Sequence, residues 1–275
     1  MNGLKLGVRG HDIQADSLSE LAIKCDNYGV KSLQLVLKRS CENFKEGIFS
    51  PSFAKYIGKV FADQNIDVDV LGCYINPSCT DENSLKSQLD FFVENLKYAR
   101  YMNAGVVGIE TGYIGENCIP KNNHTEEAYQ HLLSNIKFLC TEAEKLGVTI
   151  AVEGVFDFVI GTPKLMHRLV CDLNSPNIAV IFDIFNLLTI NNYKNQDVIM
   201  KEMFDLLGDK ISIIHLKDFK VVGNKLEQCK IGEGILNIPL FLSLIKENKP
   251  YIPIILEEVK EEVLVESMKY LDRKV

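Results

Sequence analysis

The chain has 275 residues, 47% hydrophobic and 24% charged, an ordinary globular balance with enough apolar mass for a large core. A formal charge of −7 argues against a binder of the nucleic-acid backbone, which normally carries a basic excess. The opening MNGLKLGVRG lacks the apolar stretch of a signal peptide and no apolar run is long enough to span a bilayer, so no membrane association and a cytoplasmic location are expected.

Short apolar runs alternate with longer helical patterns along the whole chain. Strands are predicted at Leu4–Val8, Ser32–Leu37, Val68–Tyr74, Gly105–Thr111, Val148–Glu153, Ile178–Asp183, Ile211–His215 and Ile252–Glu257. After the first strand, DSLSELAIKCDNYG offers Asp16 and Ser17 as helix caps and closes at Gly29. SPSFAKYIGKVFADQN places Pro51 at a first helical position behind Ser50. DENSLKSQLDFFVENLKYARYMNAG predicts a long helix ending at Gly105, and HTEEAYQHLLSNIKFLCTEAEKLG another ending at Gly147. Shorter helices are expected over Thr162–Cys171, Gln196–Leu207, Ile238–Glu247 and Glu262–Asp272.

Strands alternating with helices imply parallel βαβ units. Eight units without a composition break predict one α/β domain over residues 1–275, a single (β/α)₈ TIM barrel. An open doubly wound sheet is the competing architecture. It usually carries a glycine-rich turn after its first strand, and the segment here is VRGHDI. The eight cysteines are scattered, with no C-x-x-C pair, and read as reduced thiols rather than a disulfide framework or a zinc cluster.

The last four strands end alike. VTIAVE ends at Glu153, IAVIFD at Asp183, ISIIH at His215 and IPIILE at Glu257. Alone, each acid would be a helix cap or a solvated loop residue, and the histidine a satisfied core residue. Strand C-termini converge on one face of a barrel, however, and three carboxylates packed there repel one another and lose hydration. A divalent cation relieves both costs. Three carboxylates and an imidazole form a mostly hard donor set suited to one Mn²⁺, Mg²⁺, Co²⁺ or Zn²⁺ ion.

The order Glu153, Asp183, His215, Glu257, with the segments IAVE, VIFDIFN, IIHLKDF, GEGILNIPLFLSLI and PIILEE, resembles the xylose-isomerase-like barrel superfamily, in particular its sugar phosphate isomerase/epimerase group. The likeness is specific over 148–258 and one of architecture alone before that. It implies a metal held by those four residues and a small sugar or sugar phosphate as substrate. It also implies proton transfer beside a carbonyl through a metal-bound cis-enediolate, with Glu153 and Glu257 taking and returning the proton from opposite faces. By the same analogy a homo-oligomer is expected.

Two departures stand out. Many relatives carry a histidine three residues after the strand-six Asp, where this chain has Asn186, a substrate-binding candidate that can donate a hydrogen bond but cannot act as an acid near neutral pH. The acidic contact expected in the loop after Glu153 has only Asp157 as a candidate, at a different spacing. Lys217 shares the parity of His215 and is a second substrate-binding candidate, its alternative being a rim pair with Asp218. The turn Gly232–Glu233–Gly234 offers backbone N–H groups to an anion or merely connects elements. His11 could line the pocket or lie at the surface, while His124, His131 and His167 read as surface residues.

Three further functions fit the same frame. An endonuclease-IV-like DNA repair phosphodiesterase needs three metals and additional histidines. Strands three and four end in YINP and ETGY without any. A non-catalytic metal- or sugar-binding barrel is kept open by Asn186, and a dehydratase of a polyol-like substrate shares the fold.

Overall fold

A computed structural model describes residues 4–115 and 118–274. Its strands, in chain order, are β1 (Lys5–Arg9), β2 (Ser32–Leu35), β3 (Asp67–Gly72), β4 (Val106–Glu110), β5 (Ile150–Glu153), β6 (Ile178–Asp183), β7 (Ile211–Leu216), β8 (Asp218–Val222), β9 (Lys225–Cys229) and β10 (Pro253–Leu256). Eight of them close a parallel barrel in the order β1-β10-β7-β6-β5-β4-β3-β2, so the predicted (β/α)₈ architecture is the observed one. The ring closes where β1 meets β10, from Lys5↔Pro253 to Val8↔Leu256.

Local chemistry fixes the helices that hold the strands apart. Ser17, not Asp16, caps the helix Leu18–Tyr28 by accepting from the Glu20 amide, and Gly29 ends it at φ 79°. Ser50 caps Pro51–Ala62, Thr125 caps Glu126–Leu146 and Thr162 caps Pro163–Leu173, each accepting an amide of the first turn. The helix Glu82–Met102 stops earlier than its sequence predicts. Asn103 takes the left-handed turn at φ 59°, and Gly105 serves the next strand instead, since a Cβ there would lie 2.7 Å from the Asp69 carbonyl oxygen.

The core has two layers. Most buried residues lie between strands and helices, with Phe182, Phe204 and Phe241 meeting edge to face at 5.4–6.4 Å. Inside the barrel sit Val70, Val106, Ala151, Ala179, Ile181, Ile213 and Ile255. Gly108 belongs to this inner layer by parity, and a Cβ there would come within 2.9 Å of Val70. The inner layer also sets the direction of the strand ends. Ala151, Ile181, Ile213 and Ile255 each lie two residues before Glu153, Asp183, His215 and Glu257, so strand parity sends those four side chains to the same axis, one layer higher.

One element departs from the predicted alternation. Past Leu216 the chain does not turn at once into a helix. It forms an antiparallel hairpin, β8 with β9, paired from Asp218↔Cys229 to Val222↔Lys225 around Gly223 and Asn224. No helix among the described residues is long and apolar enough to cross a membrane, and all eight cysteines are free thiols.

Candidate metal centre and active site

Glu153, Asp183, His215 and Glu257 come together at the C-terminal mouth of the barrel. One ligating atom from each lies within 4.8 Å of all the others. Their exposures are 2%, 2%, 0% and 5%, so all four are removed from bulk water. β6 and β7 place Asp183 directly beside His215 in register, and β10 sets Ile255 beside His215, which carries Glu257 to the next inward position.

Their hydrogen bonds form one connected network. His215 Nδ1 lies 3.2 Å from Glu153 Oε1 and 3.3 Å from Glu257 Oε1. Lys217, 5% exposed, sets its ammonium 2.6 Å from both Asp183 Oδ2 and Glu257 Oε2. It does not pair with Asp218, the rim contact that the sequence left open. Asn186 donates to Glu153 Oε1 at 2.8 Å and accepts from Lys217 Nζ at 3.3 Å, which ties it into the same network. Gln34, at the end of β2, donates to Glu257 Oε1 at 3.3 Å.

Charge follows from this geometry. Burial alone would lower the His215 pKa, but Glu257 and Glu153 outweigh it and raise the pKa to about 9. Burial likewise opposes the Lys217 ammonium, and Asp183 and Glu257 override it, so this amine is held charged. For Glu257 burial pushes upward, while His215 and Lys217 pull its carboxyl down to about 2.

The residues fit a divalent ion. Three carboxylates less the Lys217 ammonium leave a formal charge of −2, which a divalent cation cancels with His215 neutral. The His215 nitrogen that faces the carboxylates is Nδ1, 3.2 Å from Glu153 Oε1 and 3.3 Å from Glu257 Oε1, where its lone pair would be offered to the same ion once the ring is neutral. The donors are hard oxygens with one imidazole, as Mn²⁺, Mg²⁺, Co²⁺ and Zn²⁺ favour.

A model described as the xylose isomerase-like TIM barrel matches residues 22–274. The chain belongs to this family. Among curated relatives of this barrel, the uncharacterized protein MJ1311 of Methanocaldococcus jannaschii is 26% identical over 249 residues, covering 89% of this chain and 80% of that one. SgbU of Haemophilus influenzae, provisionally named an L-ribulose-5-phosphate 3-epimerase, is 29% identical over 145 residues, 51% of this chain and 49% of its own. Among solved structures of the fold, a D-tagatose 3-epimerase-like protein superposes with a TM-score of 0.77 at 23% identity, over 98% of this chain and 97% of that chain.

Other sequence candidates fall elsewhere. The Gly232 and Gly234 amides are not open to a ligand, because both donate to Asp218 Oδ2 at 2.9 Å. The Asp218 carboxylate also takes the amides of Phe219 at 2.8 Å and Leu236 at 3.1 Å, so it organises the whole turn from within. Gly234 is required there, since a Cβ would sit 2.0 Å from Asp218 Oδ1. Asp157 uses its backbone carbonyl to hold the Asn123 amide at 2.6 Å. His131 is half-buried rather than superficial and contacts the Cys79 carbonyl at 2.9 Å.

Three residues of the mouth escaped the sequence reading. Gln34 and Arg9 project inward from β2 and β1, where they face each other in register. Glu110 ends β4 directly beside Glu153. Burial first, then Glu153 and Glu257, lift its carboxyl to about 7. Its signal was available, because VVGIE is an apolar strand closed by an acid, like the four strands that were recognised.

Proposed function

We propose that this barrel is a metal-dependent isomerase or epimerase of a small sugar or sugar phosphate, working by carboxylate-mediated proton transfer. The supporting observation is the joining of Glu153, Asp183, His215 and Glu257 within 4.8 Å in a buried cluster at the strand C-termini. The names of SgbU and of the D-tagatose 3-epimerase-like structure agree with that chemistry.

Glu153, Asp183, His215 and Glu257 would hold a divalent ion, which would supply polarisation of a sugar carbonyl and so acidify the C–H beside it. Glu153 and Glu257 stand on β5 and just past β10, on either side of His215, and so address a substrate from two directions. One carboxylate takes the proton and the other returns one. Return to the opposite face of the same carbon inverts it, which is epimerisation. Return to the adjacent carbon gives aldose–ketose isomerisation. Lys217 and Asn186, both hydrogen-bonded to the carboxylates, donate to substrate oxygens and fix the sugar between the two bases.

Incubation of ketoses and ketose phosphates in heavy water with added Mn²⁺ tests this directly. Deuterium should enter the carbon beyond the ketone for a 3-epimerase, and C1 or C2 for an isomerase. Glu153→Gln and Glu257→Gln should each abolish turnover while their metal content is checked in parallel, because an amide is not a base. Turnover of a true substrate without incorporation of solvent deuterium would rule the mechanism out.

A further inference from the structure

On β3 and β4 the inner layer of the barrel has a gap. Val70 and Val106 pair in register and fill one level, but at the next inward level Gly72 pairs with Gly108 and neither has a side chain. Neither glycine takes a positive φ, so what they provide is room rather than backbone freedom. Val70 and Ile181 take part of it, 2.9 and 3.1 Å from where a Gly108 Cβ would be. Tyr74 takes the rest. A Cβ on Gly72 would lie 2.8 Å from Cε2 of its ring, and a Cβ on Gly108 would lie 3.7 Å from its hydroxyl. The ring therefore leans from just past β3 across to β4, and its oxygen reaches the inner layer two residues before Glu110.

This places a hydrogen-bond donor beside the candidate centre that the proposed chemistry has not used. In the closed ring β3 stands four places from β7, so Tyr74 lies across the mouth from His215 and Lys217. Burial, then the carboxylates of Glu153, Glu257 and Glu110, push its phenol well above the ordinary range, so the hydroxyl keeps its proton and can donate it. It has no hydrogen-bond partner among the described residues, although a tyrosine hydroxyl enclosed in this way normally has one. The ring is nevertheless 36% exposed, unlike the four clustered ligands, so it can be reached from the open mouth. A donor at the end of an accessible aromatic ring suits a polyhydroxylated chain, whose oxygens accept and whose C–H groups pack on the ring.

We propose that Tyr74 is a substrate-binding residue of this barrel, its hydroxyl donating to a sugar hydroxyl beyond the reacting carbon while Glu153, Asp183, His215 and Glu257 address the reacting end. The identity of the ligand rests on the proposed isomerase or epimerase function. The test titrates D-ribulose and D-fructose, each beside its 4-deoxy and 5-deoxy derivatives, into the Mn²⁺-loaded full chain and into Tyr74→Phe, which keeps the ring and removes only the hydroxyl. Calorimetry gives the affinities. The chain has no tryptophan, so tyrosines dominate its near-ultraviolet difference spectrum and report the contact without turnover. Tyr74→Phe should weaken binding of the parent ketose about three- to tenfold, as expected for one neutral hydrogen bond, and should diminish the sugar-induced spectral change. In turnover it should raise KM more than it lowers kcat. One deoxy derivative should bind wild type more weakly by a similar factor and lose nothing further in Tyr74→Phe, because the two changes remove the same bond. Mn²⁺ affinity and melting temperature should stay at wild-type values. Wild-type sugar affinity in Tyr74→Phe, equal loss for the parent and every deoxy derivative, or a parallel fall in Mn²⁺ affinity would overturn the proposal and leave the sugar reading standing. Failure of the wild type to bind either ketose would overturn both.

Discussion

The two halves of the barrel mouth use the same geometry for different chemistry. On β5, β6 and β7 and just past β10 the inward side chains are Glu153, Asp183, His215 and Glu257, all nearly fully buried, with Lys217 bridging Asp183 and Glu257. On β1, β2 and β4 the inward positions hold Arg9, Gln34 and Glu110, which support the first set from outside: Gln34 donates to Glu257, and Glu110 adjoins Glu153. Parity alone delivers every one of these groups to the axis. What differs is density of charge. Buried carboxylates in contact demand a counter-cation, and the second half supplies no such demand.

Substitutions that exchange one half's behaviour for the other's test that contrast. The largest effect should come from Asp183→Asn or His215→Ala, which should weaken Mn²⁺ binding by roughly a hundredfold or more. Gln34→Ala should leave Mn²⁺ affinity within about tenfold of wild type, as expected of a group that only orients a ligand. Equilibrium dialysis with elemental analysis measures both, and comparable losses would erase the distinction between the halves.

Next is Lys217→Met. Two buried carboxylates lose their ammonium, which should destabilise the metal-free protein by about 3–5 kcal/mol. Metal binding should survive, so added Mn²⁺ should raise the melting temperature of the variant by more than it raises that of wild type. A variant that binds no Mn²⁺ would make Lys217 part of the ligand set rather than its counter-charge.

Proton release should be smaller but diagnostic. His215 holds its proton up to about 9 without metal and must lose it to ligate. Near neutral pH, metal uptake should therefore release about one proton per ion, and affinity should rise with pH until that value is passed. Calorimetry in buffers of different ionisation enthalpy counts the protons, and uptake without release would contradict the charged imidazole. The smallest expected effect is none at all. Abasic-site DNA should remain uncut at low enzyme concentration, because β3 and β4 lead to Tyr74 and Glu110 where a three-metal site needs histidines. Efficient metal-dependent incision would overturn the sugar reading.

The barrel was legible because its signal is periodic. Apolar runs of four to six residues, capped helices and strand-end acids repeat through the chain, and no long-range contact is needed to see them. The clustering of the four strand ends was legible for the same reason, since a parallel barrel brings all strand C-termini to one face. Lys217 was placed on the right side by parity, but its partners were not visible. Choosing Asp183 and Glu257 over the adjacent Asp218 depends on Asp218 being already saturated by backbone amides. Gln34 and Glu110 were passed over because one amide or one acid per strand carries no pattern. The hairpin had a local signature, with Gly223 and Asn224 between the strand-like FKVV and KLEQ, masked by the expectation that a helix follows each barrel strand.

Asp218 has a consequence for how this barrel tolerates change. A single carboxylate gathers the amides of Phe219, Gly232, Gly234 and Leu236, so both ends of the excursion between β7 and the helix Ile238–Asn248 are tied at one point. Beyond that knot the strands run outward to an exposed tip at Gly223 and Asn224. The hairpin strand nearest the site touches it through Gln228, which donates to the Glu257 carbonyl at 2.6 Å, while the tip itself lies several residues further out, past both the knot and this contact. The tip is therefore a natural place to splice in a guest domain, or to cut the chain and rejoin its ends in a circular permutant.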